Sequence, residues 1–277
     1  MRQSFAKIGV YVDAANIGRN GGQRMQFNVL REFACRDHAE ALRLNVYLAW
    51  DEERAESSPG YRQRAQAYQS ALRDFGFKVI EKRVRWYVDE AGNRFGKANA
   101  DLDMAVDLLL QSENLDRVLL LTGDGDFVQV VRALQNKGCR VEVVAFENVS
   151  EDLRREADLY LSGYLIPGLL PARNGDDSDD SEWGESGSRV RGYCYHYDEQ
   201  KGFGFLRYLA HLSPDLWKTD SRDPESPYRS VFFHASALPE GFNPARLPSR
   251  NHIFEFTLTQ QEGREQQAAA EMVVVAR

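Results

Sequence analysis

An excess of positive charge, long apolar runs and a cysteine framework are all missing from this 277-residue sequence. Its three cysteines, Cys35, Cys139 and Cys194, are odd in number, widely spaced and in no metal-ligand pattern. That argues against a disulfide scaffold and predicts reduced thiols in a cytoplasmic protein. The longest apolar runs, "VLLL" and "MVVVA", are far too short to span a bilayer. The opening "MRQSFAKIGVYVD" shows no apolar stretch behind a basic start, so no secretory signal is expected. A hydrophobic content of 43% is ample for the core of one large domain or two modest ones. The expectation is a soluble cytoplasmic protein with no membrane partner.

The formal net charge of -7 at first disfavours a nucleic-acid partner, but the acidity is local. Residues 172–188, "ARNGDDSDDSEWGESGS", hold six acids against one base. The stretch 189–277 balances eleven bases with eleven acids, which leaves -2 for residues 1–171. A Gly/Ser/Asp segment of this kind buries too little to fold, so 172–188 reads as a linker between domains at 1–171 and 189–277. A flexible tether of that length spans roughly 20–25 Å and raises the effective concentration of whatever the second domain captures.

In the first domain strands alternate with helices. Apolar strands are expected at 7–12, 43–50, from 77, at "RVLLLT" and at 140–146. Helices are expected at "YRQRAQAYQSALRDF", at "DLDMAVDLLLQS" with Leu102, Ala105, Val106 and Leu109 on its apolar face, and after Asp126. Such alternation predicts a mostly parallel, Rossmann-like sheet covered by helices on both faces. Ligands in that architecture gather outside the carboxyl ends of the strands.

Acids leave the expected strands at that edge. Asp13 follows the first strand, Asp124 and Asp126 follow "RVLLLTG", and Asp101 opens a helix that also carries Asp103 and Asp107. Carboxylates from separate elements repel one another in one cleft unless a cation is present. Hard oxygen donors suit Mg²⁺ or Mn²⁺, which can activate water and steady an in-line phosphoryl displacement. Each acid also has a structural alternative. Asp126 either caps the following helix or contacts a metal through water. Asp101 is equally a helix-start acid, Asp103 a solvated charge, and Asp107 a supporting or surface acid. Asn16 orients Asp13 or forms a turn. Asp13 has no evident structural gain to offset its burial. Before Asp101, Lys82, Arg83, Arg85, Trp86 and Tyr87 lead through the turn "DEAGN" to Arg94 and Lys97. These form either a nucleic-acid contact, with Lys97 on a phosphate, or an edge hairpin with its aromatics packed beneath.

The order "VDAANI", "KANADLDMAVDLL", "LLTGDGDFVQVV" and "GCRVEVVAF" resembles the NYN domains of the PIN-like nuclease superfamily. Their pattern is Asp-Gly-x-Asn after the first strand, then an Asp opening a helix with another six residues on, then Ser-Gly-Asp-x-Asp-Phe. The resemblance covers roughly residues 5–165. It implies a metal-dependent ribonuclease in which Asp13, Asp101 and Asp124 bind Mg²⁺ or Mn²⁺ and Asn16, Asp107 and Asp126 support them. Ala14, Thr122 and Gln129 stand where the family commonly has Gly, Ser and Pro, and the spacing from Lys97 to Asp101 is one residue longer.

The last domain is β-rich with alternating aromatics. In "KGFGF", Phe203 and Phe205 share a strand face beside Lys201, and in "VFFHAS" Phe232 and His234 share one. An aromatic face with cations suits single-stranded nucleic acid, whereas Phe233 is expected in the core. "RVRGYCYHYDEQKGFGFLR" with "VFFHASAL" resembles a cold-shock domain, a small OB-type barrel. That resemblance implies a stacking face of Tyr197, Phe203, Phe205, Phe232 and His234, with Lys201 near the backbone. His196 replaces the family's usual Trp, and the excursion "YLAHLSPDLWKTDSRDPESPYRS" is far longer than the family's loop. The leading expectation is an endoribonuclease on single-stranded RNA. The rivals are an RNA-binding regulator without catalysis and a metal-dependent hydrolase acting on DNA or nucleotides.

Overall fold

The structure, a computed structural model, describes residues 5–89, 91–98, 100–172, 182–260 and 267–276, with only the backbone at 97. It divides into two compact units, Met1–Gln23 with Leu30–Leu161, and Arg24–Val29 with Ser162–Arg277. Among the described residues no helix is long and apolar enough to cross a membrane.

The first unit is the expected α/β layer structure. Along the chain run β1 (Lys7–Asp13), α1 (Ala14–Arg19), α2 (Phe27–Ala34), β2 (Glu40–Trp50), α3 (Glu52–Ser57), α4 (Pro59–Asp74) and β3 (Lys78–Arg83). A hairpin of β4 (Arg85–Val88) and β5 (Arg94–Lys97) follows, then α5 (Ala100–Gln111), β6 (Arg117–Leu121), α6 (Val128–Asn136), β7 (Arg140–Ala145), α7 (Glu151–Glu156) and β8 (Leu159–Ser162). The main sheet has the order β3-β2-β1-β6-β7-β8, and β1 pairs in parallel with both β2 and β6. The chain therefore winds outward from β1 through β2 and β3, then crosses over to β6 and winds the other way. The seam between β1 and β6 is a topological switch point.

Burial explains the apolar runs. Tyr11, Tyr47, Val118, Leu120, Val141 and Val143 face a core completed by Met104 and Leu108 of α5 and Val131 and Leu134 of α6. Residues of the opposite parity, Val10, Val12, Leu119 and Leu121, are equally buried, so both sheet faces are covered. Glu142 in β7 is a buried charge met by a two-pronged contact from Arg36, Nη2 lying 2.8 Å from each carboxylate oxygen. The buried stripe of α5 is Ala100, Met104 and Leu108; Leu102 and Val106, expected inward, are exposed. Of the expected face only Ala105 and Leu109 are half-buried, because apolar residues occur all round this helix and the period alone does not choose between its faces.

The second unit contains β9 (Arg189–Asp198), β10 (Phe203–Leu209), β11 (Tyr228–His234), β12 (Ser249–Gln260) and β13 (Gln267–Ala276). They close a barrel in the order β10-β11-β13-β12-β9. A first strand paired to the second and fourth, with the fifth between third and fourth, is an OB-type arrangement. Val190, Leu206, Val231, Phe233, Phe254, Phe256 and Leu258 fill it. Arg191 and Glu255 form a buried pair at 2.7 Å, and Arg191 also donates to the Leu170 carbonyl at 3.1 Å.

The expected linker at 172–188 is altered at its end. Trp183 packs on the barrel core and donates Nε1–H to the Leu209 carbonyl at 2.8 Å, so 182–188 belongs to the barrel. Positions 173–181 lie outside the described residues. The excursion between β10 and β11 is built rather than open. Tyr228 Oη donates to the Leu216 carbonyl at 3.1 Å, Leu216 is buried, and Ser226 Oγ donates to the Lys218 carbonyl.

Candidate functional site

Asp13 and Asp124 leave adjacent parallel strands at the switch point. Val12 is in register with Leu121, so Asp13 and the loop starting at Thr122 emerge side by side. Asp13 is 4% exposed and caps α1, its Oδ1 accepting from Asn16 N–H at 2.9 Å. This cap is the structural gain that the sequence had not revealed. Asn16 turns its side chain the other way, and its Oδ1 accepts from Gly123 N–H at 2.9 Å, tying the two acid-bearing loops together. A Cβ at Gly123 would lie 3.2 Å from the Asn148 carbonyl and 3.3 Å from Val149 Cα, so the crowded loop fits best with glycine here. Thr122 Oγ1 accepts from Asp124 N–H at 3.2 Å, and Asp124 Oδ1 accepts from Asp126 N–H at 3.0 Å. Asp124, not Asp126, is therefore the cap of the short turn Gly125–Phe127 that leads into α6. Asp126 is the second residue of that turn, two past the cap position, and it is exposed.

Asp101 stands in the first turn of α5. Desolvation raises the pKa of its carboxyl, and the negative charges of Asp13, Asp124 and Asp126 raise it further, while Arg19 opposes them. Asp13 is likewise raised, first by desolvation, then by Asp124, against the N–H groups of Asn16 and Ala15 and the charge of Arg19. Asp13, Asp101 and Asp124 thus share one electrostatic environment, with Arg19 as the opposing cation. Asp107 lies one and a half turns along α5 and accepts from Tyr47 Oη at 2.8 Å, which drives the tyrosine pKa upward after desolvation. Asp103 is held by Lys82 at 2.6 Å. Among the described residues no group of three or more acidic, His or Cys side chains is already close enough to enclose an ion. The donor chemistry nevertheless fits a divalent cation. All three donors are hard carboxylates, their mutual repulsion is opposed by the single guanidinium of Arg19, and Mg²⁺ commonly reaches part of its shell through water.

On the barrel, antiparallel pairing sets Phe205 opposite His196 and Phe232, and Phe203 opposite His234. Phe203, Phe205 and Phe232 form one aromatic group with centroids 5.8–6.0 Å apart. A bulge at Tyr195 adds a ring that the sequence reading missed, 6.4 Å from Phe205 and with the Arg207 guanidinium 4.5 Å away. Tyr197 is set apart. It pairs with Gly204 and its ring stacks at 5.9 Å on fully buried Phe233, so strand alternation turns it to the core side. His234 is exposed beside Ser236, and Lys201 is exposed in the turn before β10. The Lys97 side chain lies outside the described residues; its backbone pairs with Arg85.

The family model of the NYN domain matches residues 7–166, more than half of the chain. The chain belongs to the NYN-domain family. A curated relative in sequence is the low amplitude and bright protein LabA of Synechococcus elongatus, 28% identical over 163 residues that cover 56% of this chain and 83% of LabA. Among solved structures, a Vibrio parahaemolyticus protein of unknown function aligns with a TM-score of 0.46 at 24% identity, over 58% of this chain and 96% of that one. An oxidoreductase from Sinorhizobium meliloti aligns at a TM-score of 0.30 and 11% identity, over 99% of this chain and 79% of that one. The NYN family belongs to the PIN-like nucleases, so a nuclease-type fold is shown for residues 7–166. Within this NYN domain the departures are small in consequence. Ala14 is helical, and Thr122 is buried with its hydroxyl serving Asp124. Tyr47 was missed because nothing in a sequence window links it to Asp107, and Arg19, though in the helix that Asp13 caps, reaches Asp101 only through the fold.

Proposed function

We propose that this chain is a metal-dependent endoribonuclease, with the NYN domain as the cleaving unit. The observation that carries the reading is that Asp13 and the Asp124 loop leave adjacent strands at the sheet's switch point, where the charges of Asp13 and Asp124 also act on Asp101. These three would hold Mg²⁺ or Mn²⁺, which when bound supplies Lewis acidity on a phosphate oxygen and an activated water. The chain's own part is to hold the carboxylates still. Backbone N–H groups of Asn16 and Asp126 each fix one oxygen of Asp13 and Asp124, and the Asn16–Gly123 bond keeps the two loops in step. The Tyr47 hydroxyl fixes Asp107 in support. The OB-type barrel fits the role of a cold-shock-like capture domain for single-stranded RNA in the cytoplasm, with single-stranded DNA as the alternative ligand. Its support is the outward group Phe203, Phe205 and Phe232, flanked by Tyr195, His196 and His234, since rings of this kind stack on unpaired bases.

An RNA-binding protein without catalysis is the second reading. It is favoured by the lack, among the described residues, of three donors already gathered around one point. End-labelled single-stranded RNA, incubated with Mn²⁺ or chelator, separates the two when the intact chain is compared with Asp124→Asn. Cleavage that requires both metal and Asp124 is the expected result. Binding without cleavage under any metal leaves the second reading, and the same activity on DNA alone would move the substrate.

A further inference from the structure

Among the described residues the hairpin of β4 and β5 pairs only with itself and takes no part in the main sheet. Its aromatics are not packed beneath it, as an edge hairpin would require. Trp86, Tyr87, Val88 and Phe95 are 38%, 45%, 67% and 48% exposed, which leaves large apolar side chains open on both faces. On one face Tyr87 and Phe95 stack at 5.8 Å with Arg85 on the same strand parity. On the other, the Arg94 guanidinium lies 4.4 Å over the Trp86 ring and also pairs with Glu53. A Cβ at Gly96 would sit 2.7 Å from Val84 and 3.3 Å from the Trp86 ring, so glycine there lets the indole lie across the strand. Across the turn the Asp89 carboxylate accepts from the Ala91 and Asn93 N–H groups and from the Asn93 amide.

A two-stranded hairpin gains little stability by itself, and an exposed apolar patch of this size marks a surface that takes a partner. Two observations say which partner. The rings are interleaved with cations: Arg94 is shared with Glu53, Arg83 with Glu52, and Arg85 has no ion-pair partner among the described residues. The hairpin is also followed in the chain by the acid-bearing helix α5. From Lys97 at its end to Asp101 is four residues, a reach of at most about 14 Å. Lys82, at the end of β3, pins Asp103 in the same helical turn. Rings that stack on unpaired bases, cations for the phosphates, and acids on the next element of the chain describe a single-strand path. We infer that the β4–β5 hairpin is a base-stacking clamp that holds single-stranded RNA beside the acidic site of the NYN domain. This rests on the proposed nuclease reading and adds a substrate-positioning element to it.

The test uses the full chain and 4-thiouridine-substituted single-stranded RNA. Photocross-links are mapped by mass spectrometry, and cleavage is followed in Mn²⁺ for the intact chain, Tyr87→Ala/Phe95→Ala and Arg85→Gln. These side chains are solvent-exposed, so unchanged melting is expected and checks that the variants fold. The expected result is cross-linking within residues 85–97 and a KM raised roughly tenfold by the double substitution with kcat little changed, the scale of one lost base stack. Arg85→Gln should lessen the salt dependence of KM. Binding and cleavage by the intact chain, with no cross-link in 85–97 and an unmoved KM in the double variant, would overturn the clamp and leave the nuclease reading standing. Cross-linking in 85–97 without cleavage would do the reverse. No RNA binding at all would overturn both. A dimer of the intact chain that the double variant abolishes would show the hairpin to be a self-contact instead.

Discussion

Replacing Asp13 by Asn should make the metal-free protein more stable while abolishing its response to divalent cations. Asp13 is buried to 4% exposure, so folding strips water from its charge and Asp124 adds repulsion. Its carboxyl pKa is raised. In the window between its ordinary value and the raised one, the folded chain binds more protons than the unfolded chain, and stability falls as pH rises. At neutral pH the penalty is fully present. Asn keeps an oxygen for the Asn16 N–H, and Asp and Asn cap helices about equally well. The substitution therefore removes the charge and spares the cap, a gain on the order of 1 kcal/mol for an under-solvated buried charge. That corresponds to roughly 2–4 °C in Tm for a domain of this size. Asp13→Ala loses the cap as well, at about 1 kcal/mol, and should come out near the intact protein. Thermal melts in chelator at pH 7 and at stepwise lower pH provide the assay, repeated with Mn²⁺. The Asn variant should lead at pH 7, and its lead should shrink as pH falls toward the ordinary carboxylate value. With Mn²⁺ only the intact protein should gain stability, by mass action. An Asn variant less stable than the intact protein at pH 7 without metal would refute the electrostatic reasoning. A variant that gains as much from Mn²⁺ would refute the ligand assignment.

Other outcomes are open to direct measurement. Glu142→Gln strands the Arg36 charge in the interior and should cost about 3–5 kcal/mol by urea unfolding, whereas Arg36→Met with Glu142→Leu should lie far closer to the intact protein. A single-variant cost below about 1 kcal/mol would show that water reaches the pair. Asn16→Ala unties Gly123 from α1 and should lower stability by about 1 kcal/mol and weaken the cation-induced rise in Tm. An unchanged cation response would mean that the loops are aligned by other contacts. Phe205→Ala should weaken single-stranded RNA binding by roughly 5- to 100-fold, measured by fluorescence anisotropy, with little loss of barrel stability. Tyr197→Ala should do the opposite, because its ring rests on Phe233 in the core.

The amino-acid sequence by itself determined the main alternation of strands and helices, though not α1, α2, α3, α7 or β8, since β1, β6 and β7 are apolar runs that only a sheet covered on both faces can bury. It also placed Asp13 and Asp124 at strand ends, because an acid closing such a run has nowhere else to lie. The barrel's inner and outer aromatics followed from alternation up to the bulge at Tyr195, where one extra residue reverses parity. Only tertiary structure decided which acid caps which turn, because a cap depends on backbone angles that Asp-Gly-Asp leaves open. Only tertiary structure brought Arg19 to Asp101 and Tyr47 to Asp107, and joined Trp183 to the barrel. The exposure of α5 and of the β4–β5 hairpin was equally beyond reach. An apolar residue in a periodic pattern predicts a face, but whether anything covers that face depends on elements distant in the chain.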